Sequence, residues 1–197
     1  LKEVTQKSKG KITDYIIEPL DNKSKIFKFE TINCIGIDES GKGDYFGPLV
    51  VAGVYVDTEL KLDKLRALGV KDSKKVRDDK IKLMAKRIKE ICGMDSYEVI
   101  KIFPPKYNYL FSEMGNLNEI LAWAHAQSLE ALLKKNPKCG IAISDQFAGK
   151  DLLMSKLKEM GKRIELIQRP KAEENIAVAS ASILARAGFI EILEFME

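Results

Sequence analysis

Cysteine and histidine are scarce in this sequence. Three cysteines and one histidine occur in 197 residues, and each shortage removes a class of chemistry. Cys34, Cys92 and Cys139 are odd in number, far apart and without a CxxC pair, which argues against a disulfide framework and against a zinc site. With His125 the single histidine, no His or Cys cluster competes for a metal. No GxxxxGK[ST] motif is present, so the glycine-rich segment near residue 41 is not a phosphate-binding P-loop. No apolar run approaches the roughly 18 residues needed to cross a bilayer. Leu1 to Gly10 are charged and carry no apolar stretch of the signal-peptide kind. These absences set the expectation of a cytoplasmic protein with no membrane partner.

What is present fits one globular domain. Hydrophobic residues make up 45% of the chain, too many for a disordered polymer and enough for a full core at this length. The 33 Lys+Arg against 29 Asp+Glu leave a net charge of +4, which permits nucleic-acid binding without requiring it. Residues 1–30 are polar and read as a tail or linker, and residues 31–197 as the domain. Within it, Ile32 to Asp38 and Leu49 to Val56 form near-continuous apolar runs of the kind buried on both faces of a sheet. From Asp78 to Cys92, Ile81, Met84, Ile88 and Ile91 recur at helical spacing. Tyr97 to Phe103 reads as a strand stopped by Pro104-Pro105. A helix over Leu117 to Lys135 is announced by Asn116 with Glu119 three residues on. Gly140 to Ser144 and Ile164 to Ile167 are short strands flanking a helix over Leu152 to Met160. A last helix starts near Glu173, with a small-residue stretch from Ala177 to Ser182 suited to close packing. Strands first, then strands alternating with helices, predict an α/β domain with a mixed β-sheet flanked by helices and a helical C-terminal part.

The acids are placed unusually. The first strand is apolar up to Ile37 and then presents Asp38 and Glu39 in succession. Buried carboxylates are costly unless paired or bound to a cation. Neighbouring strand residues point to opposite faces, so both serve one site only if the strand ends or kinks there. Asp145 stands at the end of a second apolar strand, and Glu173 and Glu174 stand where a helix starts. Alone, each has a bland reading: a solvated strand end, or an acid favoured in a helix's first turn. Together they form a set of hard oxygen ligands suited to Mg2+ or Mn2+. Two such ions about 3.5–4 Å apart are the usual apparatus of phosphodiester hydrolysis.

The stretch Asp38-Glu39-Ser40-Gly41-Lys42-Gly43-Asp44-Tyr45-Phe46-Gly47-Pro48 resembles the first motif of the type 2 ribonucleases H, and its second half is closer to the ribonuclease HIII branch than to HII. Further segments match in order: Val70 to Lys75, Asn116 to Ala126, Ile143 to Phe147, and Lys171-Ala172-Glu173 followed by Ala177 to Arg186. The resemblance implies a ribonuclease H-like fold that cuts the RNA strand of RNA/DNA hybrids with two divalent ions; a monomer is expected. It assigns Asp38, Glu39, Asp145 and Glu173 as the catalytic, metal-binding acids. Glu174 stays as a rival, because the spacing from Glu173 to Ala177 is one residue shorter than the family's. Ribonuclease HII-like incision at single ribonucleotides in duplex DNA, and a non-catalytic nucleic-acid-binding domain, are the competing functions. Ribonucleases HIII usually carry an N-terminal substrate-binding domain of the TATA-binding-protein type, which residues 1–30 are too few to form.

For substrate contact, the resemblance points to the loop Gly41, Lys42 and Gly43, to Tyr45, and to Lys71, Ser73, Lys74 and Lys75. Glycines let a nucleic-acid backbone approach closely, and lysines supply charge to phosphates. Read without it, these are a tight turn and a solvated charge run. His125, beside Trp123 in an apolar helix, is expected to be a packed helical histidine, and Trp123 a core residue.

Overall fold

The apolar run that ends in two acids becomes the central strand of a five-stranded sheet. The computed structural model describes residues 32–44, 47–71 and 73–196. The expected tail over 1–30 lies outside the described residues, as do Tyr45 and Phe46. Strand β1 (Cys34–Ser40) pairs antiparallel with β2 (Leu49–Val56) and parallel with β4 (Ile141–Asp145). Strand β3 (Tyr97–Ile102) lies outside β2, and β5 (Glu165–Arg169) outside β4, which gives the order β3-β2-β1-β4-β5. Helices α1 (Glu59–Ala67) and α2 (Asp78–Cys92) follow β2. Helices α3 (Pro104–Met114) and α4 (Leu117–Lys135) follow β3. Helix α5 (Lys150–Lys156) follows β4, and α6 (Ile176–Met196) closes the described chain. This is the expected mixed α/β architecture with a helical C-terminal part.

Two cores sandwich the sheet, because alternate strand residues face opposite ways. Cys34, Val50, Ala52, Val54 and Ile143 pack against α2 and α6. Ile35, Ile37, Val51, Tyr55 and Ala142 pack against α4 and its neighbours. All eight residues of β2 are buried, which explains its continuous β-branched run. On the α6 face, Gly36 makes the closest approach. A Cβ placed there would lie 2.2 Å from the backbone of Ala177 and Val178, so α6 rests directly on β1. Asn175, buried beneath the helix start, accepts from the Ala177 N–H at 2.9 Å and caps it.

Several local readings change; helix α5 stops at Lys156, short of the expected Met160. Pro104-Pro105 do not merely stop β3; they open α3, since proline suits a first helical turn where the N–H has no partner. Helix α1 goes unannounced, because it buries only Leu62 and Leu65. The last helix begins at Ile176, and Ala172–Glu174 form a separate 3-10 turn before it. Helix α6 is also long and apolar enough to cross a membrane by length and composition, unlike the sequence-based reading of no such run. Yet 78% of its most apolar stretch is buried inside the domain, the position of a core helix over a sheet.

The tightness at Gly36 is testable. Gly36→Ala drives a methyl group into the backbone of α6, so a loss of about 3 kcal/mol or more in urea unfolding, or failure to fold, is expected. Gly140→Ala, where no described residue lies within 4 Å of an added Cβ, should unfold close to the parent.

Candidate active site

The parallel ladder between β1 and β4 runs from Cys34↔Ile141 to Ile37↔Ser144 and stops. The next residues on the two strands are Asp38 and Asp145. Strand β1 continues beside β2 to Ser40↔Val50, so the two acids of β1 emerge where the strand loses one partner but keeps the other. Asp38, on the face of Gly36, turns to α6 and accepts from the Ser182 hydroxyl. It also accepts from the Glu39 backbone N–H at 2.8 Å. Glu39 turns the opposite way, to α4. There His125 Nε2 lies 3.1 Å from its Oε2, and Lys42 Nζ lies 3.7 Å from its Oε1.

Asp145 bends towards the turn before α6, where its Oδ1 accepts from the Ala172 N–H at 3.2 Å. Lys171 takes a left-handed backbone (φ 57°, ψ 39°), a strained state for a non-glycine residue, and so directs that N–H at the aspartate. The same turn separates the two rival glutamates. Glu174 is drawn to the surface by Arg169 at 2.7 Å. Glu173, half-buried beside Ala172, has no such partner among the described residues.

The electrostatics of the two strand acids diverge. Burial pushes the Asp38 carboxyl up from 3.8 to about 7; the Glu39 and Asp145 charges add to this, and the Ser182 and Glu39 N–H hydrogen bonds oppose it. Burial acts upward on Glu39 too, but the His125 hydrogen bond with the charges of His125, Lys42 and Lys74 outweighs it and holds Glu39 below the usual range. Of these two acids, Asp38 is therefore the one whose negative charge the protein compensates less.

Among the described residues, no three Asp, Glu, His or Cys side chains already converge as a metal cage. The donor chemistry nevertheless fits a hard divalent ion: only carboxylate oxygens, at least one of them buried and short of positive charge, at adjoining strand ends. Asp38, Glu39, Asp145 and Glu173 are the residues that would hold such ions.

Of the substrate-loop residues, Gly41 and Gly43 have positive φ (92° and 85°), which favours glycine. A Cβ at Gly41 would strike the Pro48 carbonyl at 2.1 Å, whereas among the described residues nothing lies within 4 Å of one at Gly43. Gly43 is thus the open point of the loop. Lys42 folds back towards Glu39 and over the Phe147 ring, 5.8 Å from its centroid. Lys71 and Lys74 are exposed. Ser73, expected at the phosphates, is instead buried and shares a 2.8 Å hydrogen bond with Ser182, so it anchors the loop to α6. Tyr45 and the Lys75 side chain lie outside the described residues.

His125 is packed, as expected, and fully buried. Its link to Glu39 was not legible from spacing alone. The available signal was chemical, since a buried imidazole in an apolar helix requires a polar partner. Trp123 is only partly buried, packed at the margin of the α4-side core.

Comparison with known proteins agrees with this geometry. A family model described as Ribonuclease HII matches residues 35–197. A ribonuclease HIII of Protochlamydia amoebophila (strain UWE25) is 43% identical over 196 residues, which cover 97% of this chain and 64% of that protein. A ribonuclease HIII of Chlamydia pneumoniae is 44% identical over 164 residues, 83% of this chain and 54% of that protein. The solved structure of Bst-RNase HIII in complex with Mn2+ superposes with a TM-score of 0.72 at 36% identity, covering 83% of this chain and 53% of that one. The chain therefore spans between 53% and 64% of the length of these relatives. The likeness to these structures shows the ribonuclease H-like fold.

The raised Asp38 carboxyl has a consequence for stability. The folded protein holds this proton more tightly than the unfolded chain, so the group favours folding at low pH and costs stability as pH rises from 3.8 through about 7. With divalent ions chelated, Asp38→Asn should melt about 3 °C or more above the parent at pH 8, what roughly 1 kcal/mol does at this size. The gap should close towards pH 4. Equal melting of the two proteins at pH 8 would contradict the uncompensated charge.

Proposed function

The chain belongs to the ribonuclease HII family, and from that premise we propose that it is the catalytic portion of a ribonuclease HIII-like endonuclease. On this reading it hydrolyses the RNA strand of RNA/DNA hybrids, leaving 5′-phosphate and 3′-hydroxyl ends. The observation that carries the reading is the meeting of Asp38 and Asp145 at the ends of adjoining parallel strands, with Glu39 beside them. The Mn2+ complex of the similar Bst-RNase HIII supports divalent-ion dependence, with Mg2+ or Mn2+ as the ions and two per site. When bound, those ions supply the positive charge that activates water and stabilises the leaving 3′-oxygen.

The chain's own residues do the rest. Asp38, Glu39 and Asp145 at the strand ends, and Glu173 in the turn before α6, stand at fixed points, so little reorganisation is needed when a phosphodiester arrives. The exposed lysines 71 and 74, and Lys42 once released from Glu39, neutralise phosphates and position the strand. Gly43 offers backbone to the ribose edge, where a 2′-hydroxyl distinguishes RNA from DNA. The three buried thiols, none of them in a disulfide, suit a reducing compartment, which supports work in the cytoplasm.

A labelled RNA/DNA hybrid with Mg2+ or Mn2+ tests this. Asp38→Asn and Asp145→Asn should each lower cleavage at least about a hundredfold, the scale lost with a transition-state charge stabiliser. Glu173→Gln should fall with them, while Glu174→Gln, which loses only a surface pair with Arg169, stays near the parent. Unchanged rates in the two aspartate variants would refute the assignment, and loss in Glu174→Gln alone would reverse the choice of fourth acid. A duplex holding one ribonucleotide, run in parallel, should be cut more slowly than the continuous hybrid.

A further inference from the structure

We propose that His125 is a positioning residue for Glu39, gripping one carboxylate oxygen so that the other is presented to a divalent ion, with Ser144 holding the imidazole from behind. The inference deepens the metal-dependent reading above and rests on it.

Both ring nitrogens are engaged. Nε2 lies 3.1 Å from Glu39 Oε2, and Nδ1 lies 3.3 Å from the Ser144 hydroxyl. An ionised carboxylate only accepts, so Nε2 carries the hydrogen in that bond. The serine hydroxyl meets Nδ1 as donor or acceptor, and it also lies 3.0 Å from the Asp145 carbonyl. Phe147 closes one side of the ring at a centroid distance of 4.6 Å. The imidazole, fully buried, has no room to turn.

The two oxygens of Glu39 are held in different ways. Oε2 is fixed by the buried histidine. Oε1 faces Lys42, whose side chain is 39% exposed and at 3.7 Å, beyond hydrogen-bond length. Lysine on a mobile stem is the exchangeable partner, and the imidazole is the permanent one. Oε1 is accordingly the oxygen offered to an incoming cation, and its arrival frees Lys42 towards the substrate. The relay also joins two of the four acids across three elements: β1 carries Glu39, α4 carries His125, and Ser144 on β4 precedes Asp145. A histidine needed only for packing would be satisfied by any acceptor. This one is bonded to an acid of the site and backed by the neighbour of another.

Mn2+ titration calorimetry on the intact chain, with melting curves in chelator and hybrid cleavage against Mn2+ concentration, reads this directly. His125→Phe keeps the ring and loses the donor. Its Mn2+ affinity should fall about tenfold or more, the usual scale for removing a residue that orients a metal ligand. The Mn2+ needed for half-maximal cleavage should rise in parallel, while the rate at saturating Mn2+ changes much less. His125→Gln, whose amide can donate along the Nε2 direction, should recover most of the affinity. Ser144→Ala leaves both partners in place and should shift affinity in the same direction by a smaller factor. Parent-like Mn2+ affinity in a folded His125→Phe overturns the proposal. If that variant does not fold, parent-like affinity in Ser144→Ala overturns it. A parent chain that neither binds Mn2+ nor cuts the hybrid overturns the reading of the whole site, and this inference with it.

Discussion

The contact between α6 and Gly36 determines where the α6 side of the site stands. With no side chain at this position, the backbone of Ala177 and Val178 settles onto the middle of β1. That depth brings Ser182, one turn further along α6, onto Asp38. It also sets the 3-10 turn before the helix against the end of β4, so that the Ala172 N–H reaches Asp145. A helix held farther away by even one methyl group would move the turn, Ser182 and Glu173 together. This half of the site is thus assembled by one packing distance, and the interior of a protein has little slack to absorb a change in it.

On this frame the acids sit at unequal electrostatic cost. Glu39 lies among His125, Lys42 and Lys74 and stays readily ionised. Asp38, in the same strand and one residue away, faces apolar α6 with only hydroxyl and amide donors, and its carboxyl resists ionising. Strand alternation is the cause, since it sends two adjacent carboxylates into two different environments. A divalent ion held by these acids would offset what the protein leaves uncompensated at Asp38, and His125, bonded to Glu39 at 3.1 Å, would keep that carboxylate aimed. The cost to the metal-free fold is the ordinary one of concentrating like charges for function.

Much of this was legible in the sequence, and the exceptions have physical reasons. Strand β2 and helices α2 and α4 could be read to the residue, because two-sided burial and helical periodicity leave strong marks. Helix α1 left none, as it covers the core with two leucines, and α3 was hidden by prolines that serve as well to begin a helix as to end a strand. The acids at Asp38, Glu39 and Asp145 were visible as charges ending apolar runs. Glu173 is favoured over Glu174 by the Lys171-Ala172-Glu173 motif; what the motif could not show is the geometry that parts them, Lys171 turning left-handed and Arg169 drawing Glu174 outward. Ser73 and His125 show the same limit. Residue type and spacing placed each in the right segment, but which way a side chain turns depends on a partner about a hundred residues away in the sequence.

The central claim is that a buried, partly protonated carboxylate waits at the end of β1 for a cation. Proton release on Mn2+ binding tests it most directly, measured near pH 7 by calorimetry in buffers of different ionisation enthalpy. With the Asp38 carboxyl near 7, the expected result is release of about half a proton or more per chain, growing towards pH 6 and vanishing by pH 9. Mn2+ binding with no proton release anywhere between pH 6 and 9 would contradict it.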